Sequence, residues 1–414
     1  MAPTGTSALQ GREDVSEKAL FHLRQWRRWM PHMPVALWML MTFVIAVIAW
    51  LQPHRLNMMV YRTAVNAWWN GAQVYTDGIH GFLYFPTSIV LFMPFVAFGS
   101  GWDDQIWRLA SLLIYMGAVW RLVRLLAGEH SYTVAGIALL LLLPASGSDL
   151  LRGQATIAMM GLIIHAALEV HHERWTSAAI LSALSLALKP LAIVYVLIAM
   201  VLYKPLRWRL PLALLVFLVL PYAFGSIEYV TAQYVAAIHK LLIAGQPDTG
   251  RWNDLAAILT AAQIDLPKWV ILGLRVLAAG IVLGALIFAV RRPQPLAALL
   301  PMMLSITYIL VFNPRTEQGG YMTLALFCGL ATGLAWISSR RWMVAIGAPF
   351  TLAFGNQVYG NTLYRATDMW LKPTLGLVCL TGLVALSLWP RSKAPVTESS
   401  APLPDVNIAP LSAE

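Results

Sequence analysis

The stretch 309–331, ILVFNPRTEQGGYMTLALFCGLA, decides the fold. An apolar run stops at Asn313, gives way to NPRTEQGG, and resumes at Tyr321. No soluble domain fits between the two runs, so a tight turn joins two elements that both need an apolar solvent. In lipid every backbone group must be satisfied within the structure, which leaves helices and closed barrels. A barrel would alternate over segments of about ten residues. The runs here are continuous, so they read as helices. An arginine and a glutamate beside a bilayer are costly unless they face a cavity or a partner, which makes this turn a functional candidate.

The same pattern extends outward along the chain. Of 414 residues, 59% are hydrophobic and 12% charged, far below the charge of a soluble domain. Candidate spans fall at 34–51, 84–99, 105–126, 132–147, 154–170, 176–203, 208–224, 268–290, 294–312, 321–338, 342–357 and 370–389. The expectation is an all-α polytopic membrane helix bundle of about 12 spans, over 34–390. A polar N-terminal segment, 1–33, and a Pro- and Ser-rich tail, 391–414, flank it and read as cytoplasmic. Counting from the two ends gives opposite parities. Either 84–99 does not cross fully, or 176–203 crosses once as a kinked helix.

The net charge of +10 does not call for nucleic acid. Basic clusters RLVRLL (121–126), KPLRWR (204–209), RR (291–292) and SSRR (338–341) mark the cytoplasmic side of the spans. Cys328 and Cys379 fall inside apolar spans and read as core packing. Two outer loops are long enough to fold on the membrane surface. In the first, NMMVYRTAVNAWWNG (57–71) has helical apolar spacing and a closing glycine, which suits a helix lying in the interface. In the second, SIEYVTAQYVAAIHKLLIAG (226–245) reads the same way.

Polar residues at these boundaries carry whatever chemistry the protein has. Arg62, Arg152, Lys189, Arg315 and Arg365 are outward cations suited to phosphate. Gln154, Asn253, Asp254, Tyr61, Tyr84 and Tyr321 add amides, a carboxylate and aromatics. Each has a plain alternative. Lys189 beside Pro190 marks a hairpin tip, and Tyr84, Trp68 and Trp69 suit an interfacial belt. Asn253 and Asp254 suit a helix cap. Asp103 and Asp104 suit a solvated loop, as do His171 and His172. Arg315 and Glu317 suit a structural ion pair. Together the cations, carboxylates and aromatics fit a substrate with a lipid tail, an anionic phosphate and a polar head.

The order of these motifs resembles glycosyltransferase family 87, the DUF2029 group of the GT-C fold. NMMVYRTAVNAWWNGAQVYTDGIHGFLYFPTSIVLFMPF is similar to that family's first outer loop and second span. RGQATIAMMGLIIHAAL resembles its GQ helix, and SALSLALKPLAIVYVL its Lys/Pro segment. RWNDLAAIL and NPRTEQGGYM resemble later outer-loop motifs. The resemblance covers about 50–375. It implies inverting, metal-independent transfer of a mannose- or arabinofuranose-like sugar from a polyprenyl-phosphate donor to a glycan or glycolipid acceptor. No cofactor is implied. The site would face the periplasm from a bacterial cytoplasmic membrane, with the lipid bilayer as solvent and no nucleic acid as partner.

One position departs from the family. Its aspartate base, four residues before the tyrosine of the first loop, aligns with Asn57. Asparagine is no general base. Asp77, Glu317 and Asp254 remain as carboxylates for that role, with Asn57 as a hydrogen-bonding partner to an acceptor hydroxyl. Two other readings stay open: a transporter or flippase of lipid-linked sugars, and a non-catalytic homologue.

Overall fold

The computed structural model describes residues 32–52, 57–245 and 252–390. Apart from His32 and Met33, the flanking segments 1–33 and 391–414 lie outside the described residues. The described chain is all-helical. In order come α1 (Met33–Leu51), α2 (Met58–Trp69), α3 (Pro86–Val96), α4 (Trp102–Ala127), α5 (Ser131–Arg152) and α6 (Ala155–His171). Next are α7 (Trp175–Leu188), α8 (Ile193–Leu202), α9 (Leu206–Val219), α10 (Ile227–Ala244), α11 (Leu255–Ala261) and α12 (Lys268–Ala289). The last are α13 (Leu296–Phe312), α14 (Met322–Ile337), α15 (Arg341–Ala353), α16 (Asn361–Thr367) and α17 (Leu371–Leu388).

Burial sorts these helices into a centre and a rim. Helix α6 buries fifteen of its 17 residues, so protein surrounds it. Helix α1 buries two of 19 and α12 four of 22, and the faces they leave open are apolar, as lipid requires. Small residues let the central helices close up. A Cβ on Gly161 of α6 would lie 2.8 Å from the Tyr115 backbone of α4, and one on Gly329 of α14 would lie 3.1 Å from the Ala138 backbone of α5.

By length and composition, six stretches among the described residues can cross a membrane: Met33–Leu51, Trp102–Arg152, Leu206–Phe224, Lys268–Ala289, Gln318–Ile337 and Leu371–Leu388. The second of these holds both α4 and α5, joined by the turn Gly128–His130. The expected count of about 12 is thus not reached on these criteria. Part of the shortfall lies where the parity was ambiguous, and part at α6 and α13, which have 17 residues each. Helix α3 has 11 residues, and at 1.5 Å per residue it falls well short of a core about 30 Å thick. The stretch 176–203 is two helices, α7 and α8, broken where Lys189 is extended (φ −150°, ψ 125°) ahead of Pro190.

Both outer loops form the helices expected of them, α2 and α10, and α10 clamps the loop that follows α2. Tyr229, Gln233 and Lys240 share one face of α10. The Tyr229 hydroxyl donates to the Ala72 carbonyl (2.8 Å), and the Gln233 side chain accepts from Val74 N (3.2 Å). Lys240 Nζ donates to the carbonyls of Thr76 and Gly78, each at 2.6 Å. Trp68 is 3% exposed, donates to the Phe224 carbonyl (2.9 Å) and packs edge-on against Tyr229. It is a core residue rather than a belt residue; Trp69 beside it is exposed.

Asp103 and Asp104 are also corrected. They are buried, at 0% and 1% exposure, rather than solvated. Asp103 takes a two-pronged bond from Arg62 (2.6 and 2.8 Å), and Asp104 pairs with Arg108 (2.6 Å). Arg108 also donates to the carbonyls of Leu150 and Leu151, which close α5 and have no partner within the helix. Trp107 Nε1 donates to the Gly153 carbonyl (2.9 Å). Asp104, through Arg108, therefore pins the end of α5, the segment from which the candidate site is built, while Asp103 holds Arg62 of α2. Cys328 and Cys379 are free thiols with sulfurs 3.6 Å apart, packed between α14 and α17.

Candidate active site

Two short turns form the base of the site. The first is Arg152-Gly153-Gln154, between α5 and α6. Gly153 is left-handed (φ 61°, ψ 44°) and closes α5, while extended Gln154 starts α6. The second is NPRTEQGG, between α13 and α14. The two meet side chain to side chain: Gln154 Nε2 donates to Glu317 Oε2 at 3.1 Å. Lys189, at the break between α7 and α8, donates to Thr156 Oγ1 at 2.6 Å. These residues stand close because helix breaks are where side chains leave the helical ladder and converge.

The second turn is stapled from behind. Asn253 N donates to the Thr316 carbonyl (2.9 Å). The buried Tyr321 hydroxyl donates to the carbonyls of Asn253 (2.8 Å) and Leu310 (2.9 Å). The Asn253 side-chain amide donates to the carbonyls of Asp368 and Met369. Asp254 caps α11 by accepting from Ala257 N (3.2 Å) and pairs with Arg275 (2.7 Å). Burial raises the Asp254 carboxyl above its usual range, and the Arg275 guanidinium opposes that. Asn253, Asp254 and Tyr321 thus spend their polar atoms on the frame.

An aromatic wall rises from the first outer loop. The hydroxyls of Tyr61 and Tyr84 lie 3.2 Å apart, and Tyr61 also accepts from Ala155 N (3.3 Å). Burial pushes the Tyr61 phenol up to about 12 and the Tyr84 phenol well above its usual value. Both remain neutral phenols at any physiological pH. Asn57 stands at the start of α2, with its backbone N–H on the Arg152 carbonyl (2.9 Å).

Around this centre lie two cavities with polar groups in their walls. The first, about 250 Å³, is lined by Tyr84, Thr156, Lys189, Asn313, Arg315 and Glu317 among others. Arg315 stacks on Trp252, 4.6 Å from guanidinium carbon to ring centroid, and its Nη1 has no hydrogen-bond partner among the described residues. Arg315 and Glu317 do not pair with each other: one lies on an indole, the other on an amide. The second cavity, about 690 Å³, is lined by Asn57, Ser148, Arg152, Gln318, Gln357 and Tyr364 among others. The outward cations are therefore divided between two cavities. Lys189, Arg315, Glu317 and Tyr84 open on one, Asn57 and Arg152 on the other, and Gln154 and Tyr61 lie between them. Arg62 is taken by Asp103. Asp77 is exposed on the loop under which Lys240 is capped, and Arg365 is exposed on α16; neither lines either cavity.

Two buried charges beside the site were not among the residues the sequence proposed for it. Asp149 on α5 is 2% exposed, and its Oδ2 has no hydrogen-bond partner among the described residues. It shares an electrostatic neighbourhood with Lys189, Glu317, Lys372 and Arg152. Its carboxylate fills the space where a Cβ on Gly319 would stand, 1.6 Å from Oδ1. Lys372 is 1% exposed and reaches the Gln318 carbonyl and Gln357 Oε1, each at 3.4 Å. Their signal was a charge at the edge of an apolar run, in SDLLRGQ and in WLKPTLGLV.

Residues 82–314, more than half of the chain, match the sequence model of glycosyltransferase family 87. No curated protein matches the chain.

Proposed function

The chain belongs to glycosyltransferase family 87 and is a membrane glycosyltransferase; from that premise we propose that it moves a mannose- or arabinofuranose-like sugar from a polyprenyl-phosphate donor to an envelope glycan or glycolipid. The reaction inverts the anomeric centre and takes place on the periplasmic face of a bacterial cytoplasmic membrane. One observation carries this reading. Lys189 and Arg315 line one small cavity, with an unpartnered guanidinium nitrogen on Arg315 and Glu317 beside them.

Those groups divide the chemistry. Lys189 and Arg315 hold the phosphate and neutralise the charge that grows on it as the bond to the sugar breaks. The phosphate leaves with the electron pair. The acceptor oxygen forms the new bond to the anomeric carbon, and Glu317 Oε takes the hydroxyl proton. Among the described residues lining the two cavities, Glu317 is the one carboxylate. Asp254 is buried as a cap and Asp77 stands outside, so Glu317 fits the base role best. Asn57 serves as a hydrogen-bonding partner at the aligned position.

The lipid tail fits beside the first cavity. An apolar groove of about 490 Å³ is lined by Phe85, Leu186, Ala187, Leu215 and Ile238 among others. Phe85, Ala187 and Ile238 lie within three residues of Tyr84, Lys189 and Leu241, which line the polar cavity. The polar cavity alone is below the roughly 300–1,000 Å³ of a whole ligand site, so it suits a phosphate and part of a sugar.

The test is transfer by the purified full chain in lipid nanodiscs, offered polyprenyl-phosphate mannose and polyprenyl-phosphate arabinofuranose with cell-envelope glycolipid. The expected result is a new glycosidic bond of inverted configuration, with the donor KM rising more than about tenfold in Arg315→Met, as loss of a charged hydrogen bond implies. Movement of labelled donor lipid across the bilayer with no bond made would overturn the reading.

A further inference from the structure

The second cavity has no role in the donor chemistry above, and its lining differs in kind from the first. The first presents cations and opens beside an apolar groove. The second presents amides and hydroxyls, from Asn57, Ser148, Gln318, Gln357 and Tyr364, with Arg152 at its edge. We infer that it is the acceptor site, built for the hydroxyl groups of a neutral glycan; this rests on the transferase reading.

Three observations carry the inference. The first is an orphan donor. Gln357 Nε2 is buried without a hydrogen-bond partner among the described residues, while its Oε1 accepts from Lys372 Nζ (3.4 Å). Lys372 thereby fixes which way the amide faces and leaves its N–H groups to be satisfied by a ligand. A sugar hydroxyl oxygen is the complementary acceptor. A buried donor left unmade is costly, so a ligand that meets it binds more tightly.

The second observation is the shape of the partition. Two chain segments pass from one cavity to the other. Arg152 lines the second, Gln154 lies between, and Thr156 lines the first. Likewise Gln318 lines the second, while Glu317 and Gly320 line the first. The Gln154–Glu317 hydrogen bond (3.1 Å) and the Tyr61 hydroxyl stand between the cavities. An inverting displacement needs the acceptor oxygen and the departing phosphate on opposite sides of the anomeric carbon. Cavities on either side of the Gln154–Glu317 bond allow that approach, with Glu317 facing the first.

The third observation is size and fixation. At about 690 Å³ the second cavity lies within the range of whole small-ligand sites. Its polar walls are held in place: Gln318 Nε2 donates to the Tyr364 hydroxyl (2.9 Å), and Lys372 holds the Gln318 carbonyl (3.4 Å). Gln154 holds Glu317 through Oε2 alone, so its amide is a positioning group that leaves the carboxylate able to take the acceptor proton.

The experiment uses the full chain in nanodiscs and two readouts. In the first, steady-state transfer is measured with Gln357→Leu and Tyr364→Phe. The expected result is an acceptor KM raised by about threefold to tenfold, one neutral hydrogen bond's worth, with the donor KM unmoved. A donor KM that rises while the acceptor KM stays put overturns the inference. The second readout needs no turnover. Cysteines are placed singly, Ser148→Cys in the second cavity and Asn313→Cys in the first, with Cys328 and Cys379 changed to serine. Their reaction with a small maleimide is followed with methyl α-mannobioside or with polyprenyl phosphate present. The inference requires the glycoside to slow labelling at 148 and not at 313, and polyprenyl phosphate to do the reverse. Glycoside protection at 313 alone contradicts it. Absence of any transfer, with the protection pattern intact, would count against the transferase reading and leave the glycan site standing.

Discussion

Gly319→Ala is the smallest change that tests how the site is held together. A Cβ at that position would stand 1.6 Å from Asp149 Oδ1, 2.3 Å from Cγ and 2.4 Å from Oδ2. A carbon–oxygen contact needs about 3.3 Å, so the carboxylate or the turn must move by about 1.7 Å. The carboxylate is 2% exposed on a central helix, and all three of its outer atoms clash, so no single small rotation clears it. The turn carries Glu317 two residues away. Overpacking of this kind costs about 1–3 kcal/mol of stability. A catalytic group misplaced by about 1 Å loses on the order of a hundredfold in rate. The assay is thermal unfolding in nanodiscs alongside single-turnover transfer. The second substitution Asp149→Ala, made in the Gly319→Ala background, removes the clashing atoms and should recover part of the stability, a coupling that a double-mutant cycle reads directly. Wild-type stability and rate in Gly319→Ala would refute the packing argument.

Two further predictions concern the frame. Arg108→Met leaves Asp104 buried without its partner, strips the Leu151 carbonyl of its donor and leaves Leu150 only the long bond from Gly153 N (3.4 Å); it should cost about 3–5 kcal/mol in thermal unfolding, and Asp104→Leu added to it should return part of that loss. The folded state favours the protonated phenol of Tyr61, which burial pushes from 10.0 to about 12. The stability this group contributes is therefore full below pH 10 and lost as the pH rises toward 12. Tyr61→Phe should flatten the pH dependence of the melting temperature over that window and leave its shape below pH 10 unchanged.

Much of the fold is legible in the sequence, because the bilayer writes it there. Apolar runs set the helices, and NPRTEQGG, RGQ and the Lys189–Pro190 break fall where the helices stop. The outer-loop helices follow from the apolar spacing in 57–71 and 226–245 and from the glycines that close them. Tertiary pairing is what a single chain cannot announce. Asp103 and Asp104 look like a solvated loop until Arg62 and Arg108 arrive from elsewhere and bury them. Arg62 looks like a phosphate ligand for the same reason in reverse. Asn253 and Tyr321 carry the composition of a binding site and serve as staples, since a buried amide and phenol must meet carbonyls wherever they stand.

The candidate site was legible at the polar residues that stand at helix breaks and hidden at its buried charges. Lys189, Arg315, Glu317 and Gln154 stand at helix breaks, where a polar residue in an apolar chain draws notice, and they converge. Asp149 sits three residues before Arg152, at the end of an apolar run, and reads as the helix giving way to a loop. Lys372 sits one residue into α17, where a lysine resembles an interfacial anchor. Only the packing of Gly319 against one, and of the Gln318 carbonyl against the other, separates a buried charge from a surface one. The division into two cavities depends on which side of a turn each residue faces, and no spacing rule on one segment supplies that.

The most direct test of the whole account is the single-turnover rate of sugar transfer in Glu317→Gln, alone and combined with Asn57→Asp. With Glu317 as the base, the single change lowers the rate by about 10²–10⁴ and the added aspartate does not restore it. Wild-type transfer in Glu317→Gln, or recovery of the lost rate by Asn57→Asp, would contradict the account and return the base to the first outer loop.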